Sequence, residues 1–321
     1  MKNIKVNTLY LLLFSCLYLL SGWSAYASTQ TIKDPVIDSK GYYVGSYGGG
    51  AYWVTDGFWN SMFVVSDEGV IVIDAPRSYA DKLEDAISEV TDKPVKYFIY
   101  SHHHVDHTGG SALFGDDVIR VGHELTAQEL RRKNDPNRPV PTVTFSDTYT
   151  VKLGNQEVVL TYPGLQHSPG NVFIYLPKQK VLMLVDVLYP GWVPFEDFAV
   201  AASVPGFFHA FEQAKEYDFK YYQGGHVGRP GTRQDFDDAH EYIIDIQSNA
   251  AKALQITKPP LSFSGENNPI KEPYIPLNTL MEAVSEVCAQ MTLEKWGERL
   301  NAADLYTKGH CWATAITQFI D

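Results

Sequence analysis

Residues 102–107 read His102-His103-His104-Val105-Asp106-His107, an H-x-H-x-D-H string. Packing does not ask for imidazoles and a carboxylate crowded into six residues, whereas metal binding does. In an extended or loop segment His102 and His104 project to one side, because side chains alternate. Asp106 and His107 then lie where the chain turns and can face a second ion, at the roughly 3.5–4 Å spacing of two-metal sites.

Such a site needs more ligands, and three candidates follow along the chain. His167 lies in the Gly- and Pro-rich stretch Gly164–Asn171, Asp186 ends the apolar run Val181–Val185, and His226 follows Gly224-Gly225. The two glycines allow close backbone approach to an ion. The expected grouping is His102, His104 and His167 on one ion and Asp106, His107 and His226 on the other, with Asp186 bridging both. Nitrogen and carboxylate ligands without thiolate suit two Zn2+ per chain first, with Mn2+, Fe2+ or Co2+ as alternatives. The chemistry would be hydrolysis: a hydroxide bridging the two ions attacks a carbonyl carbon whose oxygen one ion polarises. Asp106 is the expected proton acceptor and later donor. No Gly-x-Ser-x-Gly elbow or Walker-type phosphate loop competes with this mechanism.

The elements around these residues must deliver them to one place. Val95–Tyr100 reads as a buried strand and Thr108-Gly109-Gly110 as the turn after the metal loop, so the site sits at the carboxyl end of a strand. Strands are expected near Tyr42–Val54, Met62–Val65, Val70–Ile73 and Val118–Val121, with four short ones across Val143–Leu184. Helices are expected over Ala80–Val90, Glu124–Lys133, Pro205–Tyr217, Thr232–Leu254, Leu277–Met291 and Ala313–Ile320. Pro259 to Pro276 reads as a linker or wrapping segment. The organisation is therefore a leader at 1–27, a catalytic domain at 28–256, and a linker with a helical extension at 257–321.

At these residues the chain resembles the metallo-β-lactamase-fold hydrolases. Gly69-Val70-Ile71-Val72-Ile73-Asp74 stands where that family has its early strand, and the H-x-H-x-D-H loop, His167-Ser168-Pro169-Gly170, Asp186 and Gly225-His226 follow in the family's order. The matches span roughly Tyr42 to Leu254. The resemblance implies an α/β architecture, an αβ/βα four-layer sandwich of two mixed sheets with outer helices, and a di-metal site at one edge. It also implies that Asp74 supports the metal loop from beneath, a role no more favoured than that of a strand-end turn acceptor. The β-lactamases proper place a Cys at the second metal or lack the bridging Asp, so the chain looks closer to the lactonase- and glyoxalase-like branch. Tyr189, three after Asp186, is spaced as in N-acyl homoserine lactonases and would hydrogen-bond the substrate carbonyl; packing at a pocket edge is the alternative. Trp192, Val193, Pro194 and Phe195 could line an apolar pocket, with Trp53, Phe58 and Trp59 as a flap.

Composition bears on location and partners. Lys2 and Lys5, the apolar run Leu9–Leu20 and Ala25-Tyr26-Ala27 read as a signal peptide, giving a periplasmic or secreted enzyme with no stable membrane association after cleavage. Its removal takes the formal charge from −12 to about −14, which disfavours nucleic acid and leaves a small molecule as the expected partner. Of the cysteines left, Cys288 and Cys311 form either a disulfide or two buried thiols. His103, His123, His209, His240 and His310 are expected outside the metal site, and Arg229 is expected to pair with an acid. Rival functions are β-lactam, phosphodiester or sulfate ester hydrolysis on the same fold, an iron-dependent oxidoreductase, and metal binding without turnover.

Overall fold

A computed structural model describes residues 32–258 and 275–320. The expected leader at 1–27 and most of the expected linker lie outside the described residues. The first sheet runs in chain order: β1 (Tyr43–Gly48), β2 (Ala51–Thr55), β3 (Asn60–Val65), β4 (Val70–Ile73), β5 (Val95–Ile99), β6 (Ile119–His123) and β7 (Val143–Phe145). It is antiparallel as far as β4 and parallel from β4 to β7. The second sheet holds β8 (Thr148–Leu153), β9 (Gln156–Thr161), β10 (Phe173–Leu176), β11 (Val181–Met183), β12 (Tyr221–Gln223) and β13 (Gly231–Thr232), in the order β13-β12-β11-β10-β9-β8. Within it only β11 and β12 run parallel.

The strand sequences explain the layers. β4 is wholly apolar, yet its period of two divides it between two cores. Ile71 and Ile73 meet Leu160, Ile174 and Met183 between the sheets. Val70 and Val72 face outward with Phe98 onto Leu83, Ala86 and Ile87 of the α1 region (Leu83–Ser88), where Leu130 of α3 (Glu124–Lys133) joins them. β11 divides likewise: Val181 and Met183 point between the sheets, and Leu182 points out to a helical layer. That layer contains α5 (Val204–Lys215), α6 (Arg233–Ile256), α7 (Ile275–Trp296) and α8 (Ala303–Ile320). Helices on both outer faces of two packed mixed sheets make the expected αβ/βα sandwich, with α7 and α8 sharing the core under the second sheet.

Several boundaries differ from expectation. The opening strand is a hairpin, because Gly48, Gly49 and Gly50 all take positive φ and turn the chain back. The segment Val143–Leu184 holds five strands rather than four, and the short strands β12 and β13 carry too few residues to show a period. The helix expected from Ala80 opens as a 3-10 turn and ends at Ser88. α8 begins at Ala303, not Ala313: its buried face carries Thr307, His310 and Thr314, polar residues that a search for apolar periodicity passes over. Among the described residues no helix is long and apolar enough to cross a membrane.

Cys288 of α7 and Cys311 of α8 are disulfide-bonded and fully buried. The bridge closes a 23-residue separation. On the chain-entropy account, replacing both cysteines by alanine costs about 3 kcal/mol. Chemical denaturation of the double variant should read that loss as a lower midpoint, and an unchanged midpoint would refute it. A second stability term is pH-dependent. Burial pushes the His310 imidazole down to about 3. The unfolded chain therefore takes a proton below about 6.5 that the folded chain refuses until about 3, and stability falls as pH falls through that window. Roughly 3 kcal/mol of acid sensitivity between pH 7 and pH 4 should disappear in His310→Phe, read as the difference between the two proteins' denaturation midpoints at each pH.

Candidate metal centre

The site is assembled from strand ends, where side chains leave the sheet and can converge. β5 ends at Ile99, and the next residues carry His102 and His104 into a one-turn helix, α2 (Val105–Thr108), whose N-cap is His104. Asp74, just past β4, takes positive φ and turns its buried carboxylate beneath this loop, where it accepts from the Ser101 backbone N–H at 2.9 Å. Burial raises the Asp74 carboxyl to about 7 against the lowering pull of His107 and the Ser101 hydrogen bonds. Asp186, just past β11, also takes positive φ (61°), which aims its carboxylate into the cavity instead of along the strand.

The loops are tied to each other by amides. Asn171 donates to the Val185 carbonyl at 2.9 Å and to Gln166 at 3.0 Å, joining the His167 and Asp186 segments. Asn60, at the start of β3, donates to the carbonyls of Gly224 and His226. Gly225 cannot carry a side chain: a Cβ there would stand 2.6 Å from His107 Cε1 and 2.9 Å from Asp186 Oδ1.

Two groups of ligand atoms result, each within 4.8 Å: His102, His104, His167 and Asp186, and Asp106, His107, Asp186 and His226. They are the two groups read from the sequence. Asp186 faces both, with Oδ2 at 3.5 Å from His102 Nε2 and 3.1 Å from His167 Nε2, and Oδ1 at 3.2 Å from His107 Nε2 and 3.1 Å from His226 Nε2. His104 turns Nδ1 inward, 3.1 Å from His167 Nε2. The inward atoms His102 Nε2, His107 Nε2 and Asp186 Oδ1 are buried without hydrogen-bond partners. Buried polar atoms normally find partners, so this convergence of orphaned lone pairs fits a dinuclear metal site. Two outward nitrogens are fixed by the protein: His102 Nδ1 lies 2.9 Å from Ser101 Oγ, and His167 Nδ1 lies 3.0 Å from the Ala199 carbonyl, whereas those of His107 and His226 are buried without partners.

Electrostatics prepare the same groups as ligands. Burial and the neighbouring imidazole of His104 hold His102 far below its usual range, and burial and His167 bring His104 to about 4, leaving both neutral. Burial opposes charge on Asp106 and Asp186, but His107 outweighs it; Asp106 falls to about 2, and Asp186 is also lowered. His107 is raised, since Asp186 and Asp106 overcome its burial. Positive charge is what this pair of carboxylates asks for, and a cation displaces the proton.

A cavity of about 560 Å³ opens over the centre. Trp192, Val193 and Phe195 line it, as expected, while Pro194 does not; Phe58 and Trp59, expected as a flap, belong to its lining. Trp53 is no flap: it is buried in the inter-sheet core, since alternation along β2 turns it inward. Tyr189 lines the cavity, its ring parallel to His226 at 5.9 Å. Burial, then the charges of Asp186 and Asp106, keep its hydroxyl protonated. Among the described residues, the lining contains no lysine or arginine. Arg229 is paired with Asp235 at 2.6 Å. Among the described residues, His103, His123, His209, His240 and His310 stand outside both ligand groups.

Comparison with known proteins agrees with this geometry. The profile of the metallo-beta-lactamase superfamily matches residues 54–244, more than half of the sequence. The chain belongs to that superfamily. It is 31% identical over 196 residues to the 2,4-dinitroanisole O-demethylase subunit alpha of Nocardioides sp. (strain JS1661), covering 58% of each chain. It is 29% identical over 126 residues to a metallo-beta-lactamase type 2 of Elizabethkingia meningoseptica, covering 39% of this chain and 50% of that one. The chain thus spans between half and three-fifths of these relatives' lengths. The solved metallo-beta-lactamase from Pontibacter korlensis superposes with a TM-score of 0.56 at 22% identity, over 63% of this superfamily member and 99% of that chain, and so shares the fold.

Sequence reasoning missed several contributors. Asn171 ends the very string that drew attention to His167, but which groups its amide ties was decided by the fold. Asn60, Tyr306 of the cavity wall and the Ala199 carbonyl carried no signal, because backbone groups and distant side chains acquire roles only through the fold. Gly225→Ala should displace His107 or Asp186 and weaken binding of at least one ion by 10-fold or more, measured by metal titration; wild-type affinity for both would refute the close-approach argument.

Proposed function

We propose that this superfamily member is a metal-dependent, di-zinc hydrolase that attacks the carbonyl carbon of a neutral, apolar-bodied compound: a lactone, ester, thioester or amide. The observation that carries the reading is Asp186, whose two oxygens are each faced by imidazoles of a different group. Two divalent ions held there would acidify a water between them and polarise a carbonyl oxygen. The remaining work falls to side chains. Asp106, held ionised and partly open to the cavity, accepts the proton of the attacking water and returns it to the leaving group. Tyr189 stays protonated and donates a hydrogen bond to the substrate carbonyl. Phe58, Trp59, Trp192 and Phe195 exclude water from the apolar body of the substrate. A lining without lysine or arginine disfavours carboxylate, phosphate or sulfate substrates.

The name of the Nocardioides relative favours one further reading, an electron-poor aryl ether attacked at the ring carbon that bears the alkoxy group. The aromatic lining suits such a ring equally well. We also propose export, with residues 1–27 as the signal; the buried Cys288–Cys311 bridge supports an oxidising compartment.

The test is elemental analysis of the purified protein, followed by a panel of lactones, p-nitrophenyl esters, a thioester, nitrocefin, a phosphodiester and 2,4-dinitroanisole. Two zinc per chain with chelator-sensitive turnover of a neutral substrate is expected. Iron with no hydrolysis would move the reading to an oxidoreductase. Asp106→Asn should keep much of the metal and lose 10²–10⁴ in kcat, and full activity in that variant would refute the proton relay.

A further inference from the structure

The wall of the cavity contains an unusual turn. In the short helical segment α4 (Glu196–Val200), Asp197, Phe198, Ala199 and Val200 all take left-handed φ, between 44° and 58°. Left-handed helical conformation costs an L-residue roughly 1–2 kcal/mol, and a β-branched valine there is rarer still. Four in succession persist only where the surroundings over-determine them. The Ala199 carbonyl at the middle of this turn is the group that meets His167 Nδ1.

The surroundings come partly from the C-terminal hairpin of α7 and α8, which lies beyond the residues that the superfamily profile matches. Phe198 of the turn is fully buried, and the His310 ring lies parallel to it at 4.3 Å. Gly309 packs so closely that an added Cβ would stand 3.0 Å from Asp197 Oδ1. His310 Nδ1 is 2.7 Å from the Tyr242 hydroxyl, which also meets Thr307. The backbone of Phe195 and Pro194, at the entry to the turn, lies near the ring without a formed hydrogen bond to it. The neutral ring has one N–H. With Tyr242 donating to Nδ1, that N–H sits on Nε2, a buried atom without another partner. It is thereby available to the carbonyls that lead into the turn. On the cavity side the turn is closed by Ala202 N–H donating to His167 O at 2.9 Å and Ser203 N–H donating to Gln166 O at 3.0 Å.

We propose that His310 is a positioning residue for the metal centre, holding the left-handed turn from beneath so that the Ala199 carbonyl fixes His167 for its ion. The C-terminal hairpin is then part of the active site, not an appendage to it. This inference rests on the two-metal reading above. An imidazole ligand whose outer nitrogen loses its partner becomes free to rotate or to change tautomer, and loss of such a partner typically costs 10–100-fold in metal affinity.

The experiment is stepwise titration of the metal-free full chain with cobalt(II), followed by visible absorption, for wild type, His310→Phe, His310→Gln and Tyr242→Phe. Near-ultraviolet circular dichroism of each sample establishes that it is folded. Wild type should take up two ions. His310→Phe should bind one of the two 10–100-fold more weakly with a changed spectrum, while the other keeps its affinity. His310→Gln, which retains an N–H, should recover part of the loss. Tyr242→Phe, which leaves the imidazole in place but unties it, should show a smaller loss at the same ion, and this keeps the inference testable if His310→Phe does not fold. Two ions bound with wild-type affinity and spectrum in His310→Phe, or in Tyr242→Phe where the former does not fold, would overturn the inference alone. Fewer than two ions in wild type would overturn the two-metal reading and this inference with it.

Discussion

The structure depends on one buried carboxylate held among four imidazoles. Asp186 leaves the tip of β11 with a positive φ and faces His102 and His167 with one oxygen, His107 and His226 with the other. Without a counter-charge such a group would be expelled or protonated. Here His107 above all keeps it ionised against its burial. The four imidazoles come from three separate segments, so the two sheets must meet at this edge for the arrangement to exist. The inter-sheet core of Ile71, Ile73, Ile99, Ile174 and Met183 is what brings their ends together.

Around that centre the chain concentrates backbone conformations that L-residues avoid. Asp74 and Asp186 are left-handed at the ends of β4 and β11, and the Asp197–Val200 turn adds four more such residues against the cavity. Each position delivers a specific group: a carboxylate under the metal loop, a carboxylate between the two ligand groups, a carbonyl onto His167. The strain is offset by the apolar layers outside, where Phe198, Phe207, Phe211 and Phe236 pack under the disulfide-linked helices. On the inference above, the last two helices help the strands to hold the site.

The reading of substrate follows from what surrounds the ligands. The carboxylates that reach the cavity are Asp34, Asp106 and Asp186, and the remaining walls are mostly aromatic and aliphatic. No lysine or arginine among the described lining residues is there to meet a substrate anion, whereas a neutral aromatic or acyl body displaces water from apolar walls. On the proposed reading, the ligands would set the type of chemistry, and the loops that carry Phe58, Trp192 and Phe195 would select among compounds.

By itself the sequence determined the candidate ligand set. H-x-H-x-D-H, the His167 loop, Asp186 after an apolar run and Gly225-His226 are local patterns, and their chemistry is legible because residue type and spacing alone restrict what they can bind. The apolar runs of β4 and β11 were legible too, whereas the division of their side chains between two cores was not. The hairpin at Gly48–Gly50, the start of α8 at Ala303, the burial of Trp53 and the parts played by Asn60, Asn171, Ala199 and His310 were not. Those depend on which backbone groups a folded neighbour leaves unpaired and which polar side chains it buries. Such facts belong to pairs of segments distant in the chain, and only the tertiary structure brings them into contact.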